Sequence, residues 1–299
     1  MKVLISAGEL FLKNTLIRFG YEVVPATDGN EALELALAQN GPKLAILDWE
    51  MEGLSGTDLC KRLRTGSIEP YIYTILMTEK SQKDELLDVF ECGADDYLAK
   101  PLDGYELRAK LIVAKRILDL QDRLVAMRED LRTRATHDAL TGLWNRQATL
   151  DSLAREMDRV KREKKPCGLI LADVDHFKHI NDCFGHEAGD DVLKETATNM
   201  KDAVRPYDIV GRYGGEEFLI VAPGCNSQTI VDRAEELRTR IENKSIRTAS
   251  GCISITISMG AIAFEPGSDH TFKTLIKSAD EALYHAKRGG RNRVELART

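Results

Sequence analysis

The chain has 299 residues, which is long enough for two ordinary domains that each bury a core. Apolar residues make up 43% and charged residues 30%, a composition typical of a globular, soluble protein. The formal net charge of −6 excludes the strongly basic character that binding along DNA or RNA requires.

Six scattered cysteines form no CxxC pair and no spacing suited to zinc, so they are expected to be reduced thiols. The N-terminal "MKVLIS" lacks the features of a secretion signal, and no apolar run reaches the length of a membrane span. We therefore expect a cytoplasmic protein without a membrane or nucleic-acid partner.

Residues 1–103 alternate short apolar runs with amphipathic helical stretches. The runs that predict buried parallel strands are "KVLIS", "YEVVPA", "KLAILDW", "YIYTILMT" and "DDYLAKP". Intervening stretches such as "NEALELALAQN" and "KDELLDVFECG" supply the crossover helices. This order predicts a doubly wound α/β domain of the flavodoxin-like type.

Residues 104–136 contain no proline and carry an apolar residue at alternating steps of three and four. The stripe consists of Val113, Ile117, Leu120, Leu124, Met127 and Leu131. Such a narrow heptad stripe with charged flanks favours a parallel coiled coil that joins two copies into a homodimer. The alternative is a single helix packed on its own domain.

Residues 137–299 predict a second domain with an α+β, antiparallel, ferredoxin-like or palm-type sheet. Its expected elements are a first helix, the strand "CGLILADV", a long helix from about Gly189, a hairpin around Gly214, a further helix, the stretch "GCISITISMGAIAF" and a closing helix.

Two acidic pairs lie at predicted strand ends. The period of a strand places Asp173 and Asp175 on one face, and Glu216 and Glu217 open the strand that follows Gly215. Antiparallel pairing of these strands would bring the glutamates close to Asp173. Hard carboxylate oxygens suit Mg²⁺ with substrate phosphates, whereas the alternative is a rim of solvated acids.

Basic and amide side chains near these strands suggest a nucleotide. The candidates for phosphate contacts are Lys178, Lys287, Arg288 and Arg291. A lysine in the last turn of a helix also complements the helix dipole, which is the alternative for Lys287. Asn181 and Asp190 suit a guanine, whose N1–H and N2–H₂ groups are donors, and helix capping is their alternative.

The stretch "GGEEF", Gly214–Phe218, occurs in one order with "DALTGLWNR" and "GRNR", and this series from Asp138 to Arg293 resembles the GGDEF family of diguanylate cyclases. The resemblance covers about half of the chain. It implies that two GTP molecules, one on each of two domains placed face to face, are joined into cyclic di-GMP with release of two pyrophosphates.

The resemblance also implies the roles of individual residues. Asp173, Glu216 and the Val174 carbonyl would bind Mg²⁺, or Mn²⁺ as the alternative, with Glu217 in the same acidic site. Glu216 would act as general base, or a metal-bound hydroxide would serve instead. The remaining roles are guanine recognition by Asn181 and Asp190, phosphate binding by Lys178, Lys287 and Arg291, and close backbone approach at Gly214 and Gly215.

The tetrapeptide "RPYD" stands five residues before the glycine pair and resembles the RxxD inhibitory site of the same family. The likeness implies that Arg205 and Asp208 bind the product and inhibit the enzyme. The alternative is a local ion pair that contributes a few tenths of a kcal/mol.

The N-terminal half resembles a response-regulator receiver domain. Asp48 follows an apolar run as the implied phospho-acceptor for a histidine kinase, while Thr78, Tyr97 and Lys100 match the family's switch positions.

One departure concerns the acids that bind Mg²⁺ in that family. Here Ala7 and Gly8 stand in their place and only Glu9 remains. The span from this stretch to "GYEVV" is also about one helical turn shorter than is usual in that family, so deletion and substitution of the acids both stay open. Three outcomes stay open: partial rescue by Glu9, a domain that only dimerises, or an altered chain with changed output. We expect impaired phosphorylation of Asp48.

Two further alternatives concern function. The second domain could be inactive and only sense cyclic di-GMP, or it could accept both ATP and GTP. Intact acids, lysines and guanine-binding candidates favour the enzyme, and the Asp190 carboxylate favours guanine because it repels the acceptor N1 of adenine.

Overall fold

The computed structural model describes residues 1–6, 10–65, 71–79, 89–249, 251–268 and 270–297. The chain divides into two compact units, Met1–Arg128 and Glu129–Thr299. Each unit has a main β-sheet with an apolar core on either face.

The first unit is built on a five-stranded parallel sheet. Its elements are β1 (Lys2–Ser6), α1 (Leu10–Arg18), β2 (Glu22–Ala26), α2 (Gly29–Leu37), β3 (Leu44–Asp48), α3 (Gly56–Thr65), β4 (Tyr73–Thr78), β5 (Asp96–Ala99) and the start of α4 (Gly104–Thr136). The strand order β2-β1-β3-β4-β5 is the flavodoxin-like order. The prediction of a doubly wound domain is confirmed.

Successive side chains of β1 point to opposite faces of the sheet, and helices cover both faces. Val3 and Ile5 pack in a core with α1 and α4, whereas Leu4 packs in a second core with α2 and α3. Strands that are apolar on both faces form the centre of such a sheet. The carboxyl ends of β3 and β4 carry Asp48 and Thr78 at one edge.

Helix α4 is 33 residues long and changes its surroundings along its length. Leu107, Leu111, Ala114 and Leu118 recur at steps of three and four and are buried in the first unit. The later apolar stripe is open to solvent: Leu120, Leu124, Met127 and Leu131 are each 63% exposed. Packing on its own domain therefore describes only the first half of the helix.

The second unit has a mixed five-stranded sheet. Its elements are the end of α4, α5 (Arg146–Glu163), β6 (Cys167–Val174), α6 (Phe177–Phe184), α7 (His186–Ala203), β7 (Ile209–Arg212), β8 (Glu217–Pro223), α8 (Ser227–Glu242), β9 (Ser245–Thr248), β10 (Gly251–Ser254), β11 (Ile257–Phe264), α9 (Phe272–Arg288) and β12 (Val294–Leu296).

The sheet order is β12-β11-β6-β8-β7, antiparallel except for β12, which runs parallel to β11. The four antiparallel strands, β11-β6-β8-β7, have the ferredoxin-like arrangement. Helices α6, α7 and α8 cover one face, and α5 and α9 cover the other. The α+β prediction is confirmed.

Two expectations about this unit are corrected. The long helix begins at His186 instead of Gly189, and a separate helix, α6, precedes it because Gly185 adopts a φ of 86° between them. The stretch "GCISITISMGAIAF" forms two strands, since β10 pairs with β9 in a small separate sheet while β11 joins the main one.

Two chemical expectations can also be compared with the structure. Cys60, Cys92, Cys167 and Cys225 are buried free thiols, and Cys183 and Cys252 are exposed ones. In the described ranges, no helix combines the length and the apolar character needed to cross a membrane.

Candidate active site

Strands β6 and β8 bring acidic residues together at one end of the second sheet. Asp173 lies directly opposite Glu217 in the antiparallel register. The Val174 N–H donates to the Glu216 carbonyl at 3.3 Å, and the Tyr213 N–H donates to the Glu217 carbonyl at 2.7 Å to close the turn. The backbone therefore fixes the neighbourhood of the three carboxylates.

The glycine turn does not depend on a left-handed backbone, and at Gly214 space is limited only by the flexible end of the Glu217 side chain. Neither Gly214 nor Gly215 has a positive φ. A Cβ on Gly214 would lie 2.4 Å from Glu217 Oε2, which is too close for any real contact. A Cβ on Gly215 would meet nothing within 4 Å, so the backbone there borders open space that a ligand could enter.

Asp173 is the electrostatic centre of the site. It is only 6% exposed, and Lys287 Nζ lies 2.8 Å from its Oδ2. Burial raises the pKa of Asp173 to about 6, Lys287 opposes this rise, and the charges of Glu216 and Glu217 add to it. Lys287 thus does more than complement the dipole of α9.

The donor chemistry of the site fits a divalent cation. Asp173, Glu216, Glu217 and the Val174 carbonyl offer hard oxygens, which Mg²⁺ and Mn²⁺ prefer. As the side chains stand, no three His, Cys, Asp or Glu residues in the described part of the chain are arranged around a common metal position. The ammonium of Lys287 offsets the charge of Asp173 in this arrangement.

Asp175 has a different role from the one that its spacing suggests. Its carboxylate accepts hydrogen bonds from Thr256 Oγ1 at 2.8 Å, Ser258 Oγ at 2.6 Å and the Asn292 N–H at 3.0 Å. These donors satisfy a buried carboxylate without a cation. The expectation that Asp173 and Asp175 share one cation is therefore wrong for Asp175.

Helices α6 and α7 present the candidate guanine ligands. A Cβ on Gly189 would lie 1.9 Å from Asn181 Oδ1, so glycine is needed for the Asn181 side chain to rest against α7. Asp190 is the following residue of α7 and is exposed. The N-cap positions of the two helices are His176 and Gly185, and neither makes a side-chain capping bond. Helix capping does not account for Asn181 or Asp190. Lys178 is exposed on α6.

The turn after α9 carries the last phosphate candidate. Lys287 lies in the final turn of α9, and the exposed Arg291 follows with a φ of 63°. The Arg291 N–H donates to the Ala286 carbonyl at 3.1 Å. Arg288, the other basic candidate, lies over the ring of Tyr284.

The RxxD segment contains an ion pair, but with a residue that the sequence did not suggest. Arg233 on α8 contacts both carboxylate oxygens of Asp208, with Nη1 3.3 Å from Oδ1, and the Asp208 side chain is fully buried. Arg205 donates its backbone N–H to Asp208 at 2.8 Å and its guanidinium to Tyr207. The local Arg205–Asp208 ion pair considered from sequence is not what the geometry shows.

Arg212 is a second residue that sequence reasoning missed. It donates to the Gly215 carbonyl at 2.8 Å and to Asp138 at 3.1 Å. It therefore ties the glycine turn to the segment after α4. Its place directly before "YGGEEF" was the available signal, because an arginine at a strand end next to a tight turn is well placed to bind free carbonyls.

The receiver candidates meet at the carboxyl edge of the first sheet. Lys100 Nζ lies 2.5 Å from Asp48 Oδ2, and the Asp48 N–H donates to Ser6 Oγ at 3.1 Å. The Lys100 N–H donates to the carbonyl of Thr78, which is buried at the end of β4. Ala7, Gly8 and Glu9 lie outside the described residues.

Tyr97, the third switch candidate, packs between two side chains. Lys110 Nζ lies 4.7 Å from the centre of its ring, and Phe90 contacts it edge to face at 6.2 Å. Because Lys110 belongs to α4, this aromatic ring is in direct contact with that helix.

Both units match known protein families. Residues 135–293 match the family described as "Diguanylate cyclase, GGDEF domain", and residues 9–112 match the response regulator receiver domain. This chain belongs to the GGDEF family. The predicted family and the N-terminal receiver domain of this GGDEF protein are confirmed.

Two curated relatives show the extent of the similarity. Response regulator PleD from Caulobacter vibrioides is 33% identical over 264 residues, which cover 86% of this chain and 57% of PleD. Diguanylate cyclase DosC from Escherichia coli K12 is 37% identical over 201 residues, which cover 65% of this chain and 43% of DosC. The GGDEF chain thus spans about half the length of the curated relatives it matches.

A solved structure shares the fold of the second unit. The coiled coil and GGDEF domain of DgcB from Caulobacter crescentus, in complex with c-di-GMP, is 33% identical and has a TM-score of 0.57. The match covers 64% of this chain and 99% of the DgcB chain.

The titration of Asp173 provides a first test. We expect its carboxyl ¹³C shift to titrate near pH 6, and the Lys287→Met variant to titrate higher, because Lys287 lowers the pKa. The pKa is raised above the unfolded value, so this group's stabilisation is greatest below about pH 4 and is lost as pH rises through 6. Lys277→Met, which removes an exposed lysine of the same helix, is the control. A wild-type midpoint near 4 would contradict this electrostatic picture.

The Arg233–Asp208 pair provides a second test. Replacing Asp208 with alanine leaves Arg233 without its partner, so we expect a loss of about 3–5 kcal/mol in the free energy of unfolding. Arg205→Ala changes an exposed side chain and should stay within about 0.5 kcal/mol of the wild type. Urea unfolding of both variants measures the difference, and equal stability would show that the pair is unimportant for folding.

Proposed function

We propose that this protein is a diguanylate cyclase that condenses two GTP molecules into cyclic di-GMP and two pyrophosphates. The observation that carries the proposal is the convergence of Asp173, Glu216 and Glu217 beside Lys287 at the mouth of a glycine turn. Membership of the GGDEF family and the similarity to DosC support it.

Each domain would hold one GTP. Asn181 on α6 and Asp190 on α7 would accept hydrogen bonds from the guanine edge, and the contact of the Asn181 side chain with α7 at Gly189 supports a shared site. Lys178, Lys287 and Arg291 would bind the phosphates. Lys287 would transfer its contact from Asp173 to a phosphate once a cation offsets that carboxylate.

The reaction needs a deprotonated hydroxyl and a stabilised leaving group. The 3′-oxygen of one GTP attacks the α-phosphorus of the other, the bond from that phosphorus to the β-phosphate oxygen breaks, and pyrophosphate leaves. A bound Mg²⁺, or Mn²⁺, would neutralise the leaving group and ease formation of the alkoxide. Asp173, Glu216 and the Val174 carbonyl would hold the ion, Glu217 would add negative charge, and Glu216 would accept the hydroxyl proton.

Two copies must meet for the reaction to occur, because each domain supplies one substrate. We assign residues 1–103 to the receiver, 104–136 to a dimerising coiled coil and 137–299 to catalysis. The solvent-exposed leucines of the second half of α4 support this assignment, since an apolar heptad stripe is stabilised by pairing with an equal helix.

Regulation would act through both units. Product would bind at Arg205 and Asp208 and inhibit the enzyme, with Arg233 holding the Asp208 carboxylate in place. A histidine kinase would phosphorylate Asp48 only slowly, because Ala7 and Gly8 stand in place of metal-binding acids. The cytoplasm, which supplies GTP, is the proposed location.

A cyclase assay tests the central proposal. Purified protein incubated with GTP and Mg²⁺ should form cyclic di-GMP, and ATP should give no cyclic dinucleotide. Glu216→Gln should lower kcat about 10²–10³-fold, because a charge that stabilises the transition state is lost. Glu265→Gln, which changes an exposed acid beyond β11, is the control. Binding of cyclic di-GMP without synthesis would instead identify a sensing module.

A substitution in the stripe tests the dimer. Leu124→Glu places a charge in the predicted seam, so we expect light scattering to show a monomer and cyclase activity to fall at least about tenfold. Ala126→Glu introduces the same side chain at an exposed position off the stripe and should keep the dimer. A dimer that survives Leu124→Glu would contradict the assigned seam.

Labelling with acetyl phosphate tests the receiver. We expect Asp48 to be labelled slowly and with little dependence on Mg²⁺, because Ala7 and Gly8 stand where the receiver family has metal-binding acids. Introducing Ala7→Asp with Gly8→Asp should raise the labelling rate about tenfold or more. Rapid, Mg²⁺-dependent labelling of the wild type would show that the pocket is intact.

A further inference from the structure

The turn that follows α9 holds three consecutive residues with positive φ. Gly290, Arg291 and Asn292 have φ values of 115°, 63° and 46°. Residues that carry a Cβ disfavour this region, arginine more than asparagine, and contacts with other parts of the protein stabilise them there. The contacts of this turn therefore decide whether Arg291 keeps its conformation.

Asn292 is held through its backbone N–H and through both polar atoms of its side chain. Its N–H donates to Asp175 Oδ2 at 3.0 Å, its Oδ1 accepts from Arg238 Nη1 at 2.8 Å, and its Nδ2 donates to Glu242 Oε1 at 2.8 Å. The partners come from the end of β6 and from α8, so two separate elements fix one residue.

Asp175 is itself buried and hydrogen-bonded. It is 4% exposed, and its carboxylate also accepts from Thr256 and Ser258 at the start of β11. A buried carboxylate bonded by three donors has a single favourable orientation. Asp175 is therefore a rigid anchor for the turn.

The anchored turn presents the side chain of Arg291 to solvent. Its guanidinium is exposed, and within the described residues it has no hydrogen-bonding or ion-pair partner. Its backbone is fixed on one side by the Arg291 N–H bond to the Ala286 carbonyl, and on the other by the Met259 N–H bond to the Arg293 carbonyl at 2.9 Å.

We propose that Asp175 and Asn292 are positioning residues that hold the strained turn so that Arg291 meets a phosphate group of the nucleotide. The inference rests on the proposed function, because the phosphate is that of GTP. A preorganised guanidinium binds better because less conformational freedom is lost on binding.

The test uses 3′-deoxy-GTP with Mg²⁺, which lacks the attacking hydroxyl and so reports binding alone. The Asn292→Ala variant loses both side-chain hydrogen bonds of Asn292. We expect the Kd of 3′-deoxy-GTP for this variant to rise about tenfold, which is the effect of misplacing one charge-assisted hydrogen bond from Arg291 to a phosphate. Asp175→Asn, which keeps its size but loses an acceptor, should act in the same direction. The control, Asn199→Ala, removes a buried asparagine with two side-chain bonds elsewhere in the unit and should change Kd less than about twofold.

An Arg291→Ala background separates positioning from general destabilisation. If Asn292 acts through Arg291, then Asn292→Ala adds less than about twofold to the Kd of the Arg291→Ala variant. An equal tenfold rise in both backgrounds overturns the inference. So does an unchanged Kd in Asn292→Ala when the wild type binds the analogue.

Amide deuterium uptake without nucleotide distinguishes failure of this inference from failure of the proposed function. A wild type that does not bind 3′-deoxy-GTP contradicts the proposed function. Faster uptake at Gly290 and Arg291 in Asn292→Ala then still supports the anchoring, whereas unchanged uptake overturns it regardless of what the wild type binds.

Discussion

The acidic site of the second unit depends on how the negative charge of one buried carboxylate, that of Asp173, is offset. Asp173 is removed from water and faces two glutamates on the neighbouring strand, and both effects disfavour its charge. The Lys287 ammonium opposes them at 2.8 Å. Asp173 pairs with Glu217 in the ladder of β6 and β8, and the Val174 N–H bonds to the Glu216 carbonyl, so the backbone fixes this concentration of negative charge.

Asp173 and Asp175, at the end of β6, are separated by one residue but have different surroundings. Asp173 is paired with one ammonium group, that of Lys287, whereas Asp175 accepts hydrogen bonds from two hydroxyls and a backbone N–H. The first suits chemistry because its environment can change when a ligand arrives. The second suits architecture, since a saturated carboxylate holds distant segments in fixed positions.

Much of the fold was predictable from local pattern, because strand alternation and heptad spacing are short-range signals. The acid pairs and the glycine turn could also be predicted from the sequence, because each lies at the polar end of a hydrophobic run that forms a strand. The contacts of Asp208 with Arg233 and of Asp175 with Asn292 were not, because they join residues 25 and 117 positions apart. The start of α7 was misplaced because a single glycine, Gly185, ends one helix and begins another.

Helix α4 buries one apolar row in its first half and exposes another in its second half, on one uninterrupted rod. Each residue of an α-helix turns the chain by about 100°. An insertion or deletion between Leu118 and Leu120 would swing the exposed row away from its bearing relative to the buried one. A change of about seven or about eleven residues brings the exposed row back to within about 20° of that bearing, and a change of about eighteen residues restores it fully. The segment can therefore vary in length without turning the exposed row only in such steps.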